Sequence, residues 1–189
     1  MKILLNIWVL LIGFSVLAQE KREVERRIKE AEVPEAALSW IDNAFHKKSG
    51  VRWYEEISSG KMSYEAKFKW KMRRYSVEFD QTGKIEDIEI RRSIKKLPES
   101  FRKTFLSYLD QNYSKHKVTK IQEQWTGEDN DLVTALQEQN LNGLTIRYEI
   151  EFYGKNDDED ELWEGLFEQS GELIQRKRIV LRPIDNMLY

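Results

Sequence analysis

An internal repeat that begins at proline constrains the fold of this chain more than any other feature. Pro34 and Pro98 each follow an apolar residue, precede glutamate and open a helix-like stretch, "PEAALSWIDNAFHKKSG" or "PESFRKTFLSYLDQNYSKH". Proline suits the start of a helix, where its missing N–H costs nothing, and a following glutamate favours the helix dipole. The third proline, Pro183, follows another strand-like run. The prolines therefore predict two copies of one unit, residues 34–97 and 98–183.

Each predicted helix is followed by strand-like segments in the same order. "YEAKF" of the first copy corresponds to "YEIEF" of the second, and "FDQTGKI" corresponds to "FEQSGEL". Gly83 and Gly171 stand four residues after a phenylalanine, in turns of the kind that join antiparallel strands. Apolar and polar residues alternate along these segments, which is typical of a sheet with one face on helices and one toward water. The predicted fold is α+β: two tandem α-β-β-β-β units in an antiparallel sheet of about eight strands, with helices packed on one face.

Three segments depart from this scheme. The distance from proline to the strand tyrosine is 30 residues in the first copy and 50 in the second. An insertion that contains a short helix is therefore predicted near residues 126–143. Residues 19–33 resemble a further copy of the last strand, but their many charges fit a charged helix or a mobile arm equally well. Residues 184–189 are too few to begin a third helix and form a predicted C-terminal tail.

The first 18 residues have the features of a secretory signal peptide. Lys2 precedes an apolar run over residues 3–17, and Ala18 is the small residue accepted before a cleavage site. A membrane anchor is the alternative, but the apolar run is shorter than the roughly 20 residues of a spanning helix. With residues 1–18 removed, we expect a periplasmic or secreted chain without stable membrane insertion. The chain has no cysteine, which excludes disulfides and a cysteine-linked lipid anchor.

Charge and motif content argue against several classes of function. The chain has 31 Lys and Arg against 33 Asp and Glu, whereas nucleic acid as a main partner calls for a clearly basic face. A basic stretch with interleaved aromatics runs from Lys61 to Arg74, and we interpret it as a core strand with a solvated face, because alternation puts its aromatics on the buried side. His46 and His116 lie beside lysines near predicted helix ends, without a metal-ligand set around them. No phosphate loop or catalytic-serine motif is present, and no cofactor is expected.

Several motifs together resemble the PepSY-like family: a helix opened by an apolar–proline pair, the "VRWY" strand, the "YEAKF" strand and the "FDQTGKI" hairpin. The first copy carries the resemblance at Val33, Pro34, Trp53, Tyr54, Tyr64, Phe68, Phe79, Asp80 and Gly83. The second copy carries it at Leu97, Pro98, Tyr148, Phe152, Phe167, Glu168 and Gly171. The Trp-Tyr pair is missing from "VTKIQEQW" of the second copy, so the first copy is the better match.

The resemblance implies an exported domain that binds or inhibits without catalytic residues. PepSY-like domains are small secreted bacterial domains that are also described as similar to β-lactamase inhibitory protein, which presents a sheet face to an enzyme. The resemblance therefore implies a protein or peptide partner. It lies in scaffold residues and not in contact residues, so it does not carry over the inhibition of a β-lactamase.

Aromatic and charged side chains on the sheet are the candidate contact residues. Because Trp53 and Tyr54 are adjacent in a strand, one of them must face away from the core. Exposed aromatics mark protein-binding surfaces more often than charged residues do, and Tyr54 is the first candidate. Cover by residues 19–33 or by the insertion explains an outward Tyr54 equally well. The predicted protein-binding surface comprises Trp53, Tyr54, Lys67, Lys69, Trp125, Arg147, Glu149 and Tyr153.

The predicted function is an exported, non-enzymatic binding or inhibitory module that engages an unknown protein or peptide of the cell envelope through its sheet face. One alternative is an envelope hydrolase with paired carboxylates among Glu149, Glu151 and residues 157–161, although a strand face or a turn is expected to leave them unburied. Another alternative is a calcium or small-ligand sensor at the acidic turn 157–161, which lacks the central glycine of a calcium loop. A solvated hairpin tip is the simpler interpretation of that turn.

Overall fold

Among the residues that it describes, a computed structural model of the chain shows three α-helices and ten β-strands. The predicted signal peptide 1–18, Pro183 and the predicted tail 184–189 lie outside the residues that the structure describes. The described residues are 19–21, 23–58 and 60–180, with side chains from residue 24 onward.

The elements follow one another in the order that the repeat suggests. The helices are α1 (Glu35–Ala44), α2 (Glu99–Asn112) and α3 (Asp129–Glu138). The strands are β1 (Gln19–Lys21), β2 (Glu23–Ile28), β3 (Ser49–Ser58), β4 (Lys61–Trp70), β5 (Arg73–Asp80), β6 (Ile85–Arg91), β7 (Lys115–Thr126), β8 (Thr145–Lys155), β9 (Asp160–Glu168) and β10 (Leu173–Ile179). The predicted α+β class is confirmed, while the division of the chain into two units stays a prediction.

All ten strands form one sheet, in the order β1-β10-β9-β8-β7-β6-β5-β4-β3-β2. Neighbouring strands from β2 to β10 pair antiparallel, as predicted. The short strand β1 pairs in parallel with β10, with Gln19 opposite Lys177. Strands β1 and β2 lie at opposite ends of this order, yet only residue 22 separates them in the chain. The two ends of the sheet therefore meet, and the sheet curls into a ring.

The helices cover the outside of this ring and bury its apolar side chains. One core cluster joins α1 and α3 to strands β2–β6, with Phe45 and Phe79 fully buried in it. A second cluster joins α2 to strands β7–β9 around Phe105 and Phe152. The ring centroids of Phe45 and Phe68 lie 4.7 Å apart in an edge-on arrangement, a geometry that adds about 0.5–1.5 kcal/mol to burial. We call this helix-covered surface the outer face.

Proline caps both repeat helices without lying inside them. Pro34 has φ −55° and ψ 135°, which is not helical, and its carbonyl accepts hydrogen bonds from the N–H groups of Ala37 and Leu38 at 3.0 and 3.2 Å. Pro98 has the same conformation, and its carbonyl accepts from the Arg102 N–H at 3.0 Å. The sequence pattern predicted that each proline is the first helical residue. In the structure, each proline is instead the N-cap, one position before the first helical residue.

A short 3₁₀ turn precedes each proline, at Glu30–Glu32 and at Ile94–Lys96. The first turn follows β2 and the second follows β6. Of the alternatives for residues 19–33, the strand is therefore confirmed over 23–28, and the charged helix is wrong. Its charges are accommodated because β2 pairs with β3 on one side only, as an edge strand.

The predicted turn glycines sit where no other residue fits. Gly83 has φ +86° and Gly171 has φ +92°, a region that L-residues with a side chain rarely adopt. A Cβ on Gly83 would lie 2.9 Å from the Pro34 Cβ, and one on Gly171 would lie 2.8 Å from the Phe101 carbonyl oxygen. Each hairpin tip therefore packs under the start of a helix.

The insertion at 126–143 contains the predicted helix. Leu132, Ala135 and Leu136 of α3 are buried. These side chains join the cluster of α1 and not that of α2, so the insertion extends the first core.

Candidate functional site

The face of the sheet opposite the helices is polar and lines the inside of the ring. Strand register places every second side chain of each strand on it. We call this surface the inner face; it includes Glu25, Arg52, Tyr54, Glu56, Ser63, Glu65, Lys67, Lys69, Arg74, Ser76, Glu78, Asp87, Glu89, Arg91, Lys120, Gln122, Gln124, Arg147, Glu149, Glu151, Tyr153, Glu164 and Lys177.

The middle of the inner face is buried although none of the described helices covers it. Strands from the two ends of the sheet face each other across the ring, since Glu56 of β3 and Lys177 of β10 line one cavity. The prediction that the polar face lies toward water is therefore wrong for its middle, because curling of the sheet excludes solvent there. Six polar side chains of this face are at most 9% exposed: Ser63, Glu65, Ser76, Asp87, Gln122 and Glu164.

An open cavity of about 670 Å³ lies at one end of the inner face. Side chains of β3 to β7 form its wall, with Tyr54 among them and Glu65 and Gln122 at its inner end. We call this cavity the mouth. Its charged wall is made mainly of cations: Arg52, Lys67, Lys69, Arg74, Arg91 and Lys120.

Two of the mouth's cations are held by carboxylates. Lys67 pairs with Glu25 and with Glu65, the latter at 2.7 Å. Lys120 pairs with Glu151 at 3.2 Å and with Glu149 at 3.7 Å. Burial opposes the charge of both lysines, but these carboxylates outweigh it and raise each lysine pKa. Both side chains therefore remain charged and fixed in place.

The other four cations of the mouth are exposed and less constrained. Arg91 donates to the Thr119 carbonyl at 3.0 Å. Arg52, Lys69 and Arg74 form no ion pair with any part of the chain that the structure describes. The mouth thus presents uncompensated positive charge around the Tyr54 ring, over which the Lys67 ammonium lies at 4.7 Å.

The opposite end of the inner face is acidic. A smaller cavity of about 230 Å³ is lined there by Glu56, Glu78, Glu149 and Glu164, with Lys177 as its cation. Burial raises the pKa of Glu78, although the Ser63 hydroxyl, which donates to it at 2.8 Å, acts in the opposite direction. The charge of the inner face therefore changes sign along the strands.

Two carboxyl groups stand between these ends: Asp87, which is buried, and Glu89, which is half-buried. Asp87 accepts a hydrogen bond from Gln124 at 3.0 Å, and its other oxygen is buried without a hydrogen-bond partner among the described residues. Burial, followed by the charges of Glu78 and Glu149, raises the pKa of Asp87 well above its usual range. Burial and the neighbouring charges of Glu149 and Asp87 do the same for the pKa of Glu89, which accepts a hydrogen bond from Gln122.

The carboxylates that the sequence offered for acid–base chemistry are not buried. Glu149 and Glu151 are half-buried, and the turn 157–161 is exposed or half-buried. The carboxyl groups with a strongly raised pKa are instead Asp87 and Glu89 of β6, which lie beside Glu149. A carboxyl group with a raised pKa keeps its proton to a higher pH than usual and can act as a general acid.

Six of the eight predicted surface residues lie on the inner face. Tyr54, Lys67 and Lys69 line the mouth. The other three lie along β8: Arg147 pairs with Glu168 at 3.5 Å, Glu149 lines the acidic cavity, and the Tyr153 hydroxyl donates to Asp160 at 2.7 Å. The structure thus brings the first three together and spreads the β8 residues along the strand.

The remaining two predicted surface residues, Trp53 and Trp125, belong to the core. They are 3% and 7% exposed on the outer face, so the expectation that they offer a contact surface is wrong. In β3, Tyr54 faces inward and leaves Trp53 to the helices. In β7, a bulge between Val118 and Lys120 shifts the alternation by one residue, and Trp125 falls on the outer face.

The charged residues of the inner face that sequence reasoning missed include Arg52, Asp87, Glu89 and Arg91. The signal was present, because Arg52 precedes Trp53, and the other three flank Ile88 and Ile90 in a strand whose apolar residues are buried. Such alternation assigns a face but does not show that the polar face is enclosed.

The acidic turn is tied to neighbouring cations. Glu159 accepts two hydrogen bonds from Arg176 at 2.6 and 2.9 Å, and Asp160 pairs with Lys155. Within the described range, one carboxylate group could hold a metal, with the oxygens of Glu25, Glu56 and Glu65 within 4.8 Å of one another. The Lys67 ammonium already pairs with two of its members, so the chain supplies the positive charge that this group needs.

Comparison with known proteins identifies related folds. No family model matches the sequence, and no curated protein matches it. A DUF2874 family protein from Bacteroides ovatus is 16% identical with a TM-score of 0.54, over 77% of this chain and 88% of that chain. A BLIP-like protein from Bacteroides fragilis is 15% identical with a TM-score of 0.50, over 80% and 91%. A protein from Bacteroides eggerthii, described provisionally as periplasmic, is 11% identical with a TM-score of 0.52, over 77% and 88%.

These similarities show a shared fold. The similarity to a BLIP-like structure agrees with part of the resemblance that the sequence suggested, whereas membership of the PepSY-like family stays a prediction. The periplasmic or secreted location of this chain stays a prediction, because a likeness at 11% identity shows the fold alone. None of the described helices is long and apolar enough to cross a membrane.

Proposed function

We propose that the protein is an exported, non-enzymatic binding module that engages a protein or peptide of the cell envelope through the mouth of its inner face. The mouth carries this proposal. It is an open cavity of about 670 Å³ whose wall is built on hydrogen-bonded strands, so little backbone entropy is lost when a partner binds. The BLIP-like fold of one neighbour supports an inhibitor-type role.

Site-specific photocrosslinking tests the proposal on the mature chain from residue 19 onward. A photoreactive amino acid replaces Tyr54 or Lys69 in the mouth, or Lys103 on α2 as the matched control, because Lys103 is exposed and lies far from the inner face. We expect one envelope protein to be crosslinked from positions 54 and 69 and not from 103. Identical products from all three positions, or none from the mouth, would contradict the proposal.

An acid–base hydrolase is the second candidate, and the raised pKa values of Asp87 and Glu89 beside Glu149 favour it. Assays of the purified chain on envelope glycans and peptides test it. Hydrolysis that is lost in Glu89→Gln and retained in Asp157→Asn, a control in the exposed turn, would replace the binding proposal.

A further inference from the structure

We propose that the mouth recognises an acidic segment of its partner, an extended peptide with at least two carboxylates. This inference rests on the binding function proposed above and adds the chemistry of the partner. It follows from the register of the strands, the distribution of charge along the inner face and the shape of the mouth.

The strand register sets like charges against each other in the mouth. Arg52 of β3 lies directly opposite Lys67 of β4, and Lys69 of β4 lies directly opposite Arg74 of β5. Like charges in directly opposed positions destabilise a sheet. Two such pairs side by side are therefore unfavourable in the free protein, and an anion placed between their members would relieve the repulsion.

Carboxylates of the chain neutralise only one of these four cations. Lys67 is held by Glu25 and Glu65, but its opposed neighbour Arg52 has no carboxylate partner in the described part of the chain. The same holds for Lys69 and Arg74, both of which are exposed. These three cations differ from exposed lysines elsewhere, such as Lys95 and Lys103, because they are gathered around one cavity.

The acidic end of the inner face selects a peptide over a long polyanion. A nucleic acid or a uniformly charged glycan that ran from the mouth along the ring would meet the carboxylates Glu56, Glu149 and Glu164. Like-charge repulsion in a partly buried site is screened weakly by salt. A peptide places its negative charges at chosen residues and carries neutral or basic ones beyond them.

The spacing of the two cation pairs fits an extended peptide. They lie one strand apart across the sheet, about 4.8 Å, and two residues apart along it, about 7 Å. Acidic side chains at alternate positions of an extended segment lie about 7 Å apart on one face. Two alternate Glu or Asp residues can therefore reach both pairs, with Tyr54 as a wall for the backbone between them.

Fluorescence anisotropy with labelled short peptides tests this inference on the mature chain. The probes are a peptide with glutamate at alternate positions, its glutamine analogue, its lysine analogue and inorganic polyphosphate. The variants are Lys69→Gln with Arg74→Gln in the mouth, and Lys95→Gln with Lys103→Gln as a control that removes the same charge from exposed sites elsewhere. Both double variants keep a polar, uncharged side chain at each substituted position, and thermal unfolding verifies that each is folded.

We expect the glutamate peptide alone to bind, with an affinity that falls as salt rises and drops at least about tenfold in the mouth variant but not in the control variant. The unfolding midpoint of the mouth variant should be no lower than that of the parent, because a repulsion is removed. Equal binding of polyphosphate, or equal affinity of the two double variants, would overturn the inference. Crosslinking from position 54 that persists in the mouth variant would leave the binding function standing and reject the acidic partner.

Discussion

The two faces of the sheet are both buried, but by different means. The outer face is apolar and aromatic and is covered by α1, α2 and α3. The inner face is charged, and its middle is enclosed because the sheet curls upon itself. Burial of apolar groups stabilises a fold, whereas burial of carboxyl groups without full hydrogen bonding costs free energy. The outer face therefore stabilises the fold, whereas the inner face costs free energy. Such a cost is typical of a surface that serves a function other than stability.

Truncation of a core aromatic should give the largest effect. Phe105 is fully buried in α2, with its ring 5.0 Å from that of Phe167, whereas the next residue, Leu106, is 36% exposed. We expect Phe105→Ala to lower the free energy of unfolding by about 3–5 kcal/mol and Leu106→Ala by less than about 1 kcal/mol. Denaturant unfolding measures both, and similar losses would show that the outer face is not the core.

A side chain at the hairpin tip should break the packing between sheet and helix. Gly83 and Gly60 both have positive φ, +86° and +81°, but only at Gly83 would a Cβ meet another atom, the Pro34 Cβ at 2.9 Å. Alanine should cost about 1–2 kcal/mol at either position through the backbone and at least about 1 kcal/mol more at Gly83 through the clash. Chemical denaturation of the two variants gives the difference, and equal losses would rule out the close contact.

Two arginines of β10 test how exposure affects the stability that an ion pair contributes on the outer face. Arg176 donates to both oxygens of Glu159 and lies over the Trp163 ring at 4.2 Å, whereas Arg178 pairs with Glu161 in an exposed position at 3.2 Å. We expect Arg176→Ala to cost about 2 kcal/mol and Arg178→Ala less than about 1 kcal/mol. Thermal unfolding measures both losses of stability. A loss at Arg178 that equals or exceeds the loss at Arg176 would contradict this expectation.

Replacement of a buried carboxyl group on the inner face should raise the free energy of unfolding, whereas the substitutions above lower it. The pKa of Asp87 is raised in the folded state, so the folded protein is most stable while this group is protonated, below the usual aspartate pKa of about 4. Its contribution is lost as pH rises through the raised pKa. Asp87→Asn should therefore stabilise the protein at neutral pH, by less than the losses above, and the gain should vanish near pH 4. Asp157→Asn, in the exposed turn, is the control, and a gain that is independent of pH would contradict the assignment.

Local patterns in the sequence predict the elements well, because turn chemistry and alternation act over few residues. Gly83 and Gly171 mark their hairpins, and the strand 64–70 alternates as expected. The face of Trp125 could not be predicted, since the bulge after Val118 has no sequence signature and shifts every later residue of β7.

The enclosure of the inner face could not be predicted from local sequence patterns either. It depends on the pairing of residues 19–21 with 177–179, and a three-residue strand carries no periodicity from which to infer a partner. The candidate site was therefore predicted as a surface, with Tyr54, Lys67 and Lys69 placed correctly on the sheet. Asp87 and Glu89 gained their altered chemistry only when the ring closed around them.

The pairing of β1 with β10 has a consequence for the order of folding. Gln19 and Lys177 are 158 residues apart (177 minus 19), a wider separation than between any other pair of adjacent strands. Contacts between distant residues carry a large loop-closure cost and form late. We expect residues 19–21 to emerge early from the ribosome and yet to be the last to find their partner. Pulse-labelled hydrogen exchange during refolding would then show protection at residues 177–179 after protection of β4 and β5.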